Sequence, residues 1–459
     1  MSPRPASRLI PLALALLAVA GSAACGSRPV SNGGGPSPER ARGRGRFRPL
    51  DPIPLYTDAG LIAQAEPVRF IGSVRYLAGP TPDTTLLLVN LSLANNALSF
   101  VPQGDAQVAR YLVAMELKHG GTTARRVDSR ESVRVGSYRE TSRSDESVLF
   151  QQFIGAAPGQ YDLTVAVRDE GSGRSAQQTV TVLVPRLAPA ALSTPVTVYE
   201  ATARATTDTV PDLIANPRST VFFGRDSLVH VYLEGYGFPA GTEAELSVHG
   251  DRDAILWSDS VPVGGPGRLH AAVASIPVSV LGVGKMSLVA SAPGTEMRAP
   301  LFVTFGDEWA ITSLNEMLGY LRYFASAARL QQLRDANPDE RAAAWVAFYR
   351  ETDPDPRTPE HEALRDYFGR IQFANERFNE EGTPGWLTDR GKVFITLGDP
   401  DQVLEQGESA MNVRGRTQVW TYSQYRLQVV FVDQSGFGRW RLTPSSENAF
   451  NMVAIRERK

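Results

Sequence analysis

The sequence predicts a mainly β protein of several domains, in which two β-sandwich modules precede a C-terminal α+β domain. The chain has 459 residues, which at about 150 residues per domain corresponds to roughly three domains. Apolar and polar residues alternate with a period of two in many segments between residues 56 and 305, as they do in half-buried strands. From Asp307 onward the apolar residues follow the spacing of an amphipathic helix, which marks the start of the last domain.

Composition excludes several classes of protein. Apolar residues make up 42% of the chain and charged residues 21%, which is typical of a globular protein. The formal net charge of −2 argues against nucleic acid as a partner, because nucleic-acid-binding domains carry strongly basic surfaces. One cysteine and five histidines exclude a disulfide framework and a cysteine-rich zinc site.

Residues 1–25 have the pattern of an export signal. Two arginines precede an apolar run over residues 9–20, which at about a dozen residues is too short to span a bilayer permanently. The ending Ser-Ala-Ala-Cys resembles a bacterial lipoprotein signal, which implies that Cys25 is acylated and becomes the mature N-terminus. The match departs at Ser22, where such signals usually carry leucine, so ordinary cleavage just before the cysteine stays open. By the same resemblance, Gly26 implies anchoring in the outer membrane.

Residues 26–55 are predicted to form a flexible tether, because glycine, serine and proline dominate their first part and prevent packing. One interpretation is a solvated spacer. The other is attraction to anionic lipid head groups or to cell-wall polymer beside the anchor. The tether is basic because arginine recurs at alternate positions, namely Arg40, Arg42, Arg44, Arg46 and Arg48.

Residues 56–190 are expected to form the first sandwich, of immunoglobulin-like type. Alternation over residues 161–167 and again over 180–184, with a Glu-Gly-Ser-Gly turn between them, predicts a β-hairpin. The segment Pro158–Leu163 looks like the tyrosine corner of immunoglobulin-like folds, although a β-meander with a Pro-Gly turn stays open. Four earlier runs supply further strands: Val68–Leu77, Thr85–Leu93, Arg110–Lys118 and Ser147–Ile154.

Residues 191–305 are expected to form the second sandwich, because the same alternation returns at 229–233 and 244–249. The Pro- and Ala-rich stretch 185–195 is the predicted boundary between the two modules. His230 lies in a strand pattern and is expected to be a packed or edge residue rather than a ligand. A sandwich fold by itself decides nothing about function.

Residues 306–459 are expected to contain three helices and an antiparallel meander. Apolar residues from Leu314 to Ala328 have helical spacing, and Ser313 with Glu316 has the spacing of a capping box. Asn337-Pro338 and Thr358-Pro359 each have the cap-and-proline pattern that begins a helix. The third helix carries an apolar stripe that we expect to be core, and the strands follow it. The residues of the stripe are Leu364, Tyr367, Phe368, Ile371, Ala374 and Phe378. The three predicted strands are residues 418–422, 427–433 and 438–442.

A run of uncommon residues between the third helix and the meander carries the most specific signal. It reads Gly-Trp-Leu-Thr-Asp-Arg-Gly, then an apolar segment, then Gly-Asp-Pro-Asp. Here the sequence resembles the GWxTD-domain family of bacterial envelope proteins, over roughly Asp307 to Lys459. The resemblance implies an envelope protein and carries over no reaction, because the family has no established one. The matching positions, called the signature below, are Gly385, Trp386, Thr388, Asp389, Arg390, Gly391, Gly398, Pro400 and Asp401.

The signature can be interpreted physically as a folding device that docks a sheet on helices. Gly385 is expected to let the chain reverse at a positive φ, where a side chain would clash, so that Trp386 can close over the aromatic stripe of the third helix. Asp389 is expected to form an Asx-turn that begins a strand over Lys392–Leu397. Asp401 is expected to cap a short helical turn over residues 402–405. The alternative is a binding or catalytic pocket around Asp389, Arg390 and Asp401.

Searches for catalytic and metal-binding patterns give no site. His361-Glu362 begins like a zinc-protease helix, but Arg365 stands where the second histidine is required. Asp353 and Asp355 lie in a proline-rich loop that we interpret as a rigid connection. A calcium loop is the other possibility there, although calcium takes six to eight oxygen ligands. No catalytic, cofactor-binding or metal-binding residue is therefore predicted.

The sequence predicts an exported, non-catalytic lipoprotein of the cell envelope that is held to the membrane through Cys25. The resemblance to lipoprotein signals implies that this membrane is the outer membrane. The expected role is that of an interaction or structural module that contacts other envelope proteins or wall polymer, with no nucleic acid as partner. The alternative is a secreted hydrolase with an acidic site in the last domain, because carboxylates abound there and no pair is singled out by spacing.

Overall fold

Strands outweigh helices in the computed structural model, with 46% strand and 24% helix, which confirms a mainly β protein. The structure describes residues 53–141, 147–187, 189–305, 314–358, 361–406 and 415–458, all within one unit that runs from Phe47 to Lys459. The export signal, Cys25, Ser313 and nearly all of the tether lie outside the described residues. The last three tether positions, 53–55, belong to a short helix, α1 (Ile53–Asp58).

The first part of the chain forms two antiparallel sheets that share a core. One sheet has the strand order β1-β2-β3-β7. The other has the order β4-β5-β8-β9, and β6 pairs with β5 in addition. The predicted hairpin is confirmed as β8 and β9, in which Leu163 pairs with Val180. The elements are β1 (Ile62–Gln64), β2 (Phe70–Ala78), β3 (Thr85–Ala94), β4 (Val101–Gln103), β5 (Ala106–His119), β6 (Thr122–Val135), α2 (Tyr138–Thr141), β7 (Ser147–Ala156), β8 (Gly159–Asp169) and β9 (Ser175–Val184).

Strand β3 is buried on both faces, which alternation did not predict. All ten of its residues are buried. Leu87 and Val89 belong to the core shared with the second sheet, whereas Leu86 and Leu88 pack in another cluster with Val198 and residues further along the chain. The continuous apolar run of this strand is the pattern expected when a sheet is covered on both sides.

Residues 191–304 form two more sheets. One has the order β10-β14-β11-β12 with β17 on β14, and the other has the order β13-β19-β18-β15-β16, where β13 is parallel to β19. His230 lies on β14, and its Nδ1 is 2.9 Å from Ser275 Oγ on the neighbouring strand. The strands are β10 (Ala191–Leu192), β11 (Val196–Thr202), β12 (Asp212–Ala215), β13 (Thr220–Phe222), β14 (Leu228–Tyr236), β15 (Glu243–His249), β16 (Ile255–Pro262), β17 (Leu269–Pro277), β18 (Gly284–Ala292) and β19 (Thr295–Thr304).

A buried ion pair joins the sheet of β14 to that of β2. Glu234 and Arg204 are almost wholly buried, and Arg204 Nε and Nη2 donate to the two carboxylate oxygens at 2.6 and 2.8 Å. The Tyr232 and Tyr236 hydroxyls donate to the same oxygens at 2.5 Å. Arg204 also donates to Ala78 O at 2.8 Å, and Tyr236 Oη accepts from Ala78 N at 2.8 Å.

The C-terminal part contains more helices than the three that the sequence predicted. The expected first helix is two helices, α3 and α4, because Ser326 caps a new start by accepting from Arg329 N. The third helix begins after His361, whose Nδ1 accepts from Leu364 N at 3.1 Å, rather than at Thr358. The elements are α3 (Leu314–Tyr320), α4 (Ala327–Asp335), α5 (Pro338–Thr352), α6 (Glu362–Arg377), α7 (Asp389–Leu397), β20 (Gln402–Gln406), β21 (Arg416–Tyr422), β22 (Leu427–Asp433), β23 (Arg441–Leu442) and α8 (Pro444–Glu457).

Two local predictions beside the signature are wrong. Residues 392–397, expected as a strand, lie in helix α7, because Thr388 caps this helix and Gly398 ends it with a positive φ of 83°. Residues 402–405, expected as a helical turn, lie in strand β20, which pairs with β21. The sheet order is β20-β21-β22-β23, so the predicted meander is confirmed and has one more strand.

Among the described residues, no helix combines the length and the apolar character needed to cross a membrane.

Candidate functional site

Two glycines of the signature allow three segments of backbone to pack closely. A Cβ on Gly385 would lie 1.8 Å from Ala374 O on α6, and a Cβ on Gly391 would lie 1.8 Å from Gly385 O. Real Cβ atoms do not approach backbone oxygens so closely, so any side chain at either position would force the segments apart. These two glycines therefore set the distance between α6, the 3₁₀ turn Gly385–Leu387 and α7.

Hydrogen bonds fix the turn between α6 and α7. Gly385 N donates to Asn379 Oδ1 at 2.7 Å, and Trp386 N donates to Asn375 Oδ1 at 3.1 Å. The buried Thr388 hydroxyl donates to Gly385 O at 2.7 Å and accepts from Gly391 N at 3.0 Å. Thr388 is thus the N-cap of α7, a role that the sequence analysis did not assign to it.

The Trp386 ring is buried, with 2% of the residue exposed. The Trp386 ring lies 5.0 Å from the Tyr320 ring and 6.3 Å from the Tyr323 ring, between centroids. The Arg322 guanidinium lies 4.7 Å from the ring centroid. These two rings come from α3 and the turn after it, whereas the sequence analysis expected the indole to close over the stripe of the third helix, now α6.

Asp389 connects the start of α7 to the sheet. Its Oδ2 accepts a hydrogen bond from Leu442 N on β23 at 2.8 Å, in place of the Asx-turn that the sequence predicted. A carboxylate in the first turn of a helix is also stabilised by the helix dipole. Asp389 therefore joins a helix and a strand that are far apart in sequence.

Arg390 lies against aromatic rings. Its guanidinium is 5.3 Å from the Phe378 ring centroid and 5.1 Å from that of Trp440, which Arg416 also contacts at 5.3 Å. Burial lowers the pKa of Arg390. Cation–π contacts of this kind contribute about 0.5–2 kcal/mol each. The Arg390 side chain thereby helps to hold Trp440 on the helices.

The second half of the signature lies at the other end of α7. Tyr422 Oη donates to Gly398 O at 3.1 Å. Ser423 N donates to Asp401 Oδ2 at 2.5 Å, and this hydrogen bond lowers the pKa of the Asp401 carboxyl. Asp401 N in turn donates to Thr421 O at 2.9 Å. Asp401 therefore holds the β21–β22 turn and caps no helix.

The structure does not bring Asp389, Arg390 and Asp401 together in one pocket. Asp389 and Arg390 lie at the N-terminus of α7, and Asp401 lies beyond its C-terminus. Nine helical residues separate the two ends by about 13 Å. Asp389 accepts from a backbone N–H of β23, and Asp401 accepts from one in the β21–β22 turn, so the signature contacts the sheet region at both ends of α7.

Two buried carboxylates near the signature were missed by the sequence analysis. Glu380 Oε1 accepts from Trp440 N at 2.9 Å, and its Oε2 accepts from Arg441 at 2.8 Å. Asp433 has no exposed side-chain surface and accepts from Arg416 at 2.9 Å and from Gly438 N at 2.8 Å. The sequence does not reveal them, because Trp440 N and Arg416 reach these carboxylates from other segments of the chain.

Asp433 should make the stability of this region depend on pH. Burial alone would raise the pKa of the Asp433 carboxyl, but hydrogen bonds from Arg416, Gly438 N and Ser435 outweigh it and lower the pKa to about 2. Because the folded-state pKa lies below the unfolded value, the stabilisation is complete above about pH 4 and is lost as the pH falls towards 2. The shift corresponds to roughly 2 kcal/mol.

We therefore expect Asp433→Asn to lower the free energy of unfolding by about 2 kcal/mol at pH 7. At pH 2 the substitution should leave the free energy of unfolding almost unchanged. Urea unfolding followed by tryptophan fluorescence at both pH values measures this difference. Asp208→Asn, at an exposed position in another part of the chain, is the matched control. An equal loss at both pH values would show that the carboxylate charge is not what stabilises the turn.

The loop that contains Asp353 and Asp355 has internal partners. Asp355 N donates to Asp353 Oδ1 at 3.1 Å, and Arg357 Nε donates to Asp355 Oδ1 at 2.7 Å. These bonds fit a rigid acidic connection. Within the described ranges, no three His, Cys, Asp or Glu side chains are grouped so that they could hold a metal ion.

The family model described as the GWxTD domain matches residues 292–438, which include the whole signature. No curated protein matches the chain.

Three solved structures show a faint likeness to this chain. The dimeric latent form of PorU from Porphyromonas gingivalis has a TM-score of 0.24 and 10% identity, over 56% of this chain and 21% of its own. Trypsin-activated α2-macroglobulin from Escherichia coli has a TM-score of 0.19 and 12% identity, over 55% of this chain and 18% of its own. The fibronectin(III)-like modules of CbhA from Clostridium thermocellum have a TM-score of 0.12 and 12% identity, over 48% of this chain and 85% of their own.

The chain spans about a fifth of the length of the first two of these proteins. TM-scores this low carry no conclusion about fold or function.

Proposed function

The chain belongs to the GWxTD domain-containing family, and from this premise we propose that it is a non-catalytic lipoprotein of the cell envelope. In this proposal the acylated Cys25 holds the chain at the membrane, in the outer membrane where the cell has one. The basic tether and the sheets that follow carry the C-terminal domain away from the anchor. The protein acts as an interaction or structural module that contacts other envelope proteins or wall polymer.

The observation that carries this proposal is that the oxygen-bearing side chains of the signature, those of Thr388, Asp389 and Asp401, are hydrogen-bonded within the fold. Thr388 caps α7, Asp389 accepts from Leu442 N, and Asp401 accepts from Ser423 N. A nucleophile or a general acid needs its reactive atom directed at a substrate, whereas these atoms are directed at backbone N–H groups. Their geometry supports a role in positioning α7 and the sheet.

We also propose that the sheets of residues 62–184 and 191–304 are immunoglobulin-like sandwich modules. In support, Tyr161 Oη donates to Ala157 O, four residues upstream, at 3.0 Å. This is the hydrogen bond that defines a tyrosine corner at the start of a strand. The module boundary at residues 185–195 stays part of this proposal.

The second candidate function is a secreted hydrolase, and a cleft in the C-terminal domain is where it would act. A cavity of about 300 Å³ is lined by Glu362, Asp366 and Arg370 together with residues of α7 and α8. A general acid needs a raised pKa, but a hydrogen bond from Thr358 lowers the pKa of Glu362. Glu362 therefore lacks the raised pKa that a general acid requires.

The anchor is tested by metabolic labelling with palmitate. Because Cys25 is the one cysteine of the chain, Cys25→Ser should abolish the label and move the protein from the membrane to the soluble fraction. Ser22→Leu, which supplies the residue usual in lipoprotein signals, should keep both the label and the membrane location. A Cys25→Ser protein that stays in the membrane fraction would remove the anchor from the proposal.

The interaction role is tested by photocrosslinking in intact cells. A photoreactive residue at the exposed position Met452 of α8 should trap a discrete envelope partner, whereas one at the buried Phe450 serves as the background control. Activity of the purified protein on ester or glycoside substrates, lost in Asp366→Asn, would instead support the hydrolase.

A further inference from the structure

Strand β17 lies at the edge of its sheet. Among the described strands it pairs with β14 alone, so its other long side has no neighbouring strand there. It runs antiparallel to β14 through nine consecutive pairs, and the register contains no bulge. The edge is therefore regular over roughly 30 Å, at about 3.4 Å per residue.

Hydrogen bonds just beyond the two ends of β17 show which of its backbone groups face β14. Gly237 N donates to Arg268 O at 2.8 Å at one end. Val278 N donates to Ser227 O at 3.1 Å at the other end. Both bonds continue the register of the two strands, and hydrogen-bonded pairs alternate with non-bonded pairs in an antiparallel ladder. The even-numbered residues of β17 therefore bond to β14. The residues whose N–H and C=O groups point away from β14 are Leu269, Ala271, Val273 and Ser275.

Three of these outward positions are accessible to a new partner. Val273 is 40% exposed, Ser275 is exposed and Ala271 is half-buried, whereas Leu269 is buried. Within the described ranges, the outward N–H and C=O groups of Ala271, Val273 and Ser275 form no hydrogen bond with another part of the chain. These three residues, called the open edge below, are spaced evenly about Val273.

The sequence of β17 lacks the features that usually protect the edge of a sheet. Natural edge strands avoid pairing with other chains by means of charged side chains, prolines or bulges. Strand β17 reads Leu-His-Ala-Ala-Val-Ala-Ser-Ile-Pro. It contains no lysine, arginine, aspartate or glutamate, and its one proline is the last residue, Pro277. The open edge is thus left free to pair.

Two other long strands that pair on one side only are protected. Strand β6 has six charged residues among its 14. Strand β7 is joined to β12 by the Gln151 side chain, which donates to Leu213 O at 2.7 Å and accepts from Ala215 N at 3.2 Å. Arg125 also donates to Gly155 O of β7 at 3.3 Å. Strand β17 differs from both in having neither charges nor side chains bonded to its outward backbone groups among the described residues.

We propose that β17 pairs with β17 of a second copy of this chain, antiparallel and about a two-fold axis at Val273. Val273 then faces the partner's Val273, and Ala271 faces the partner's Ser275. Each of these outward residues exchanges two backbone hydrogen bonds with the residue opposite, so the two sheets become one continuous sheet. This inference goes beyond the proposed lipoprotein role and does not depend on it.

The side chains of β17 favour a second copy over an extended peptide of another protein. Five of the nine residues are alanine, valine or serine. Peptides that add a strand to a sheet gain specificity from pockets for alternate side chains, and small side chains form shallow pockets. In the two-fold pairing the same small, uncharged residues meet each other, so two identical strands can approach closely. Each contact also occurs twice, because a two-fold interface is made by the same surface on both subunits.

Val273→Pro tests the hydrogen bonds of the open edge. Because Val273 N–H points away from β14, proline removes an outward donor and no bond of the existing ladder, which is where edge strands tolerate proline. In the purified full-length chain with Cys25→Ser, we expect a dimer by sedimentation velocity. Val273→Pro should weaken its association at least ten-fold. Val273→Thr, which keeps the N–H and the β-branched shape, should change it by less than two-fold. Circular dichroism checks that both variants are folded.

Val273→Cys tests the position of the two-fold axis. Directly opposed residues of a hydrogen-bonded antiparallel pair have Cα atoms about 5.5 Å apart, which a disulfide can bridge. Cys25→Ser removes the one natural cysteine, so the new thiol can pair only with its copy. Mild oxidation should give a covalent dimer at least ten-fold faster than for Val403→Cys. Val403 is the matched control, since it is a valine on another edge strand, β20, and is 50% exposed.

The contrary results are equally distinct. A chain that stays monomeric up to its limit of solubility would overturn the proposal. So would a dimer that Val273→Pro leaves intact, or one in which Val273→Cys is oxidised no faster than Val403→Cys. A photoreactive residue at Val273 that traps a different protein in intact cells, and no second copy, would assign the open edge to a strand of that protein instead.

Discussion

Gly385→Ala is expected to lower the free energy of unfolding by about 3 kcal/mol, at the upper end of the cost of overpacking. The new Cβ would lie 1.8 Å from Ala374 O and 2.9 Å from the Cα of Asn375. Neither atom belongs to a flexible side chain, so α6 and the 3₁₀ turn must separate. That movement would also weaken the hydrogen bond from Trp386 N to Asn375 Oδ1.

The measurement is urea unfolding followed by tryptophan fluorescence. Of the six tryptophans, Trp345, Trp386, Trp420 and Trp440 lie after residue 313, so the signal reports mainly on the part of the chain that contains the signature. Gly391→Ala, at the other close approach, should have a similar effect because its Cβ would meet Gly385 O.

Gly369→Ala is the matched control for the two signature glycines. Gly369 lies inside α6, and a Cβ there meets nothing within 4 Å. Replacing an unhindered glycine within a helix by alanine should stabilise it by about 0.5–1 kcal/mol. If Gly385→Ala lowered the free energy of unfolding no more than Gly369→Ala does, close packing of α6 on the signature would not be the reason for glycine at position 385.

Glu234→Gln is expected to have the largest effect on the β part of the molecule, a loss of about 3–5 kcal/mol. The substitution leaves the Arg204 guanidinium buried without its counter-charge. It also removes one of the two acceptor oxygens that Tyr232 and Tyr236 share with Arg204. Because Arg204 and Tyr236 both reach Ala78, the contact between the two sheets should weaken as well.

Urea unfolding followed by far-ultraviolet circular dichroism measures this loss. Asp83→Asn is the control, because Asp83 forms an exposed ion pair with Arg186: the Arg186 side chain is 57% exposed and the Asp83 side chain 74%. Exposed ion pairs contribute at most about 1 kcal/mol to stability. Equal effects of Glu234→Gln and Asp83→Asn would mean that burial of the pair adds nothing to stability.

The predicted elements with the clearest signal are those that bury an apolar face and expose a polar one. The hairpin of β8 and β9 and the stripe of α6 each have a buried face and a polar face, so their periodicity is visible in the sequence. Strand β6 was missed because its residues are largely exposed and carry almost no apolar pattern. Helix α8 was missed although Thr443 and Pro444 supply a cap and a first-turn proline.

The site was only partly predictable for a related reason. The sequence identified the nine signature positions. It gave the wrong reason for glycine at Gly385, because this residue does not have the positive φ that was expected and glycine is needed there for the close approach of Ala374 O. It could not identify the partners of those residues, such as Leu442 N for Asp389 or Asn375 for Trp386, because these contacts join segments that lie apart along the chain. Glu380 and Asp433 were missed for the same reason.

The sequence by itself determined that the chain is mainly β, that helices follow the strands, and that residues 385–401 form a family signature. Those properties are local, since they depend on spacing and residue type within about twenty positions. Only the tertiary structure decided that residues 392–397 are helical. A run of Val-Phe-Ile-Thr-Leu favours a strand by local propensity, but the Thr388 cap and packing of Val393 and Ile395 in the shared core override it. The burial of β3 on both faces was likewise decided by sheets distant in sequence, because burial depends on what packs against a strand as well as on its own residues.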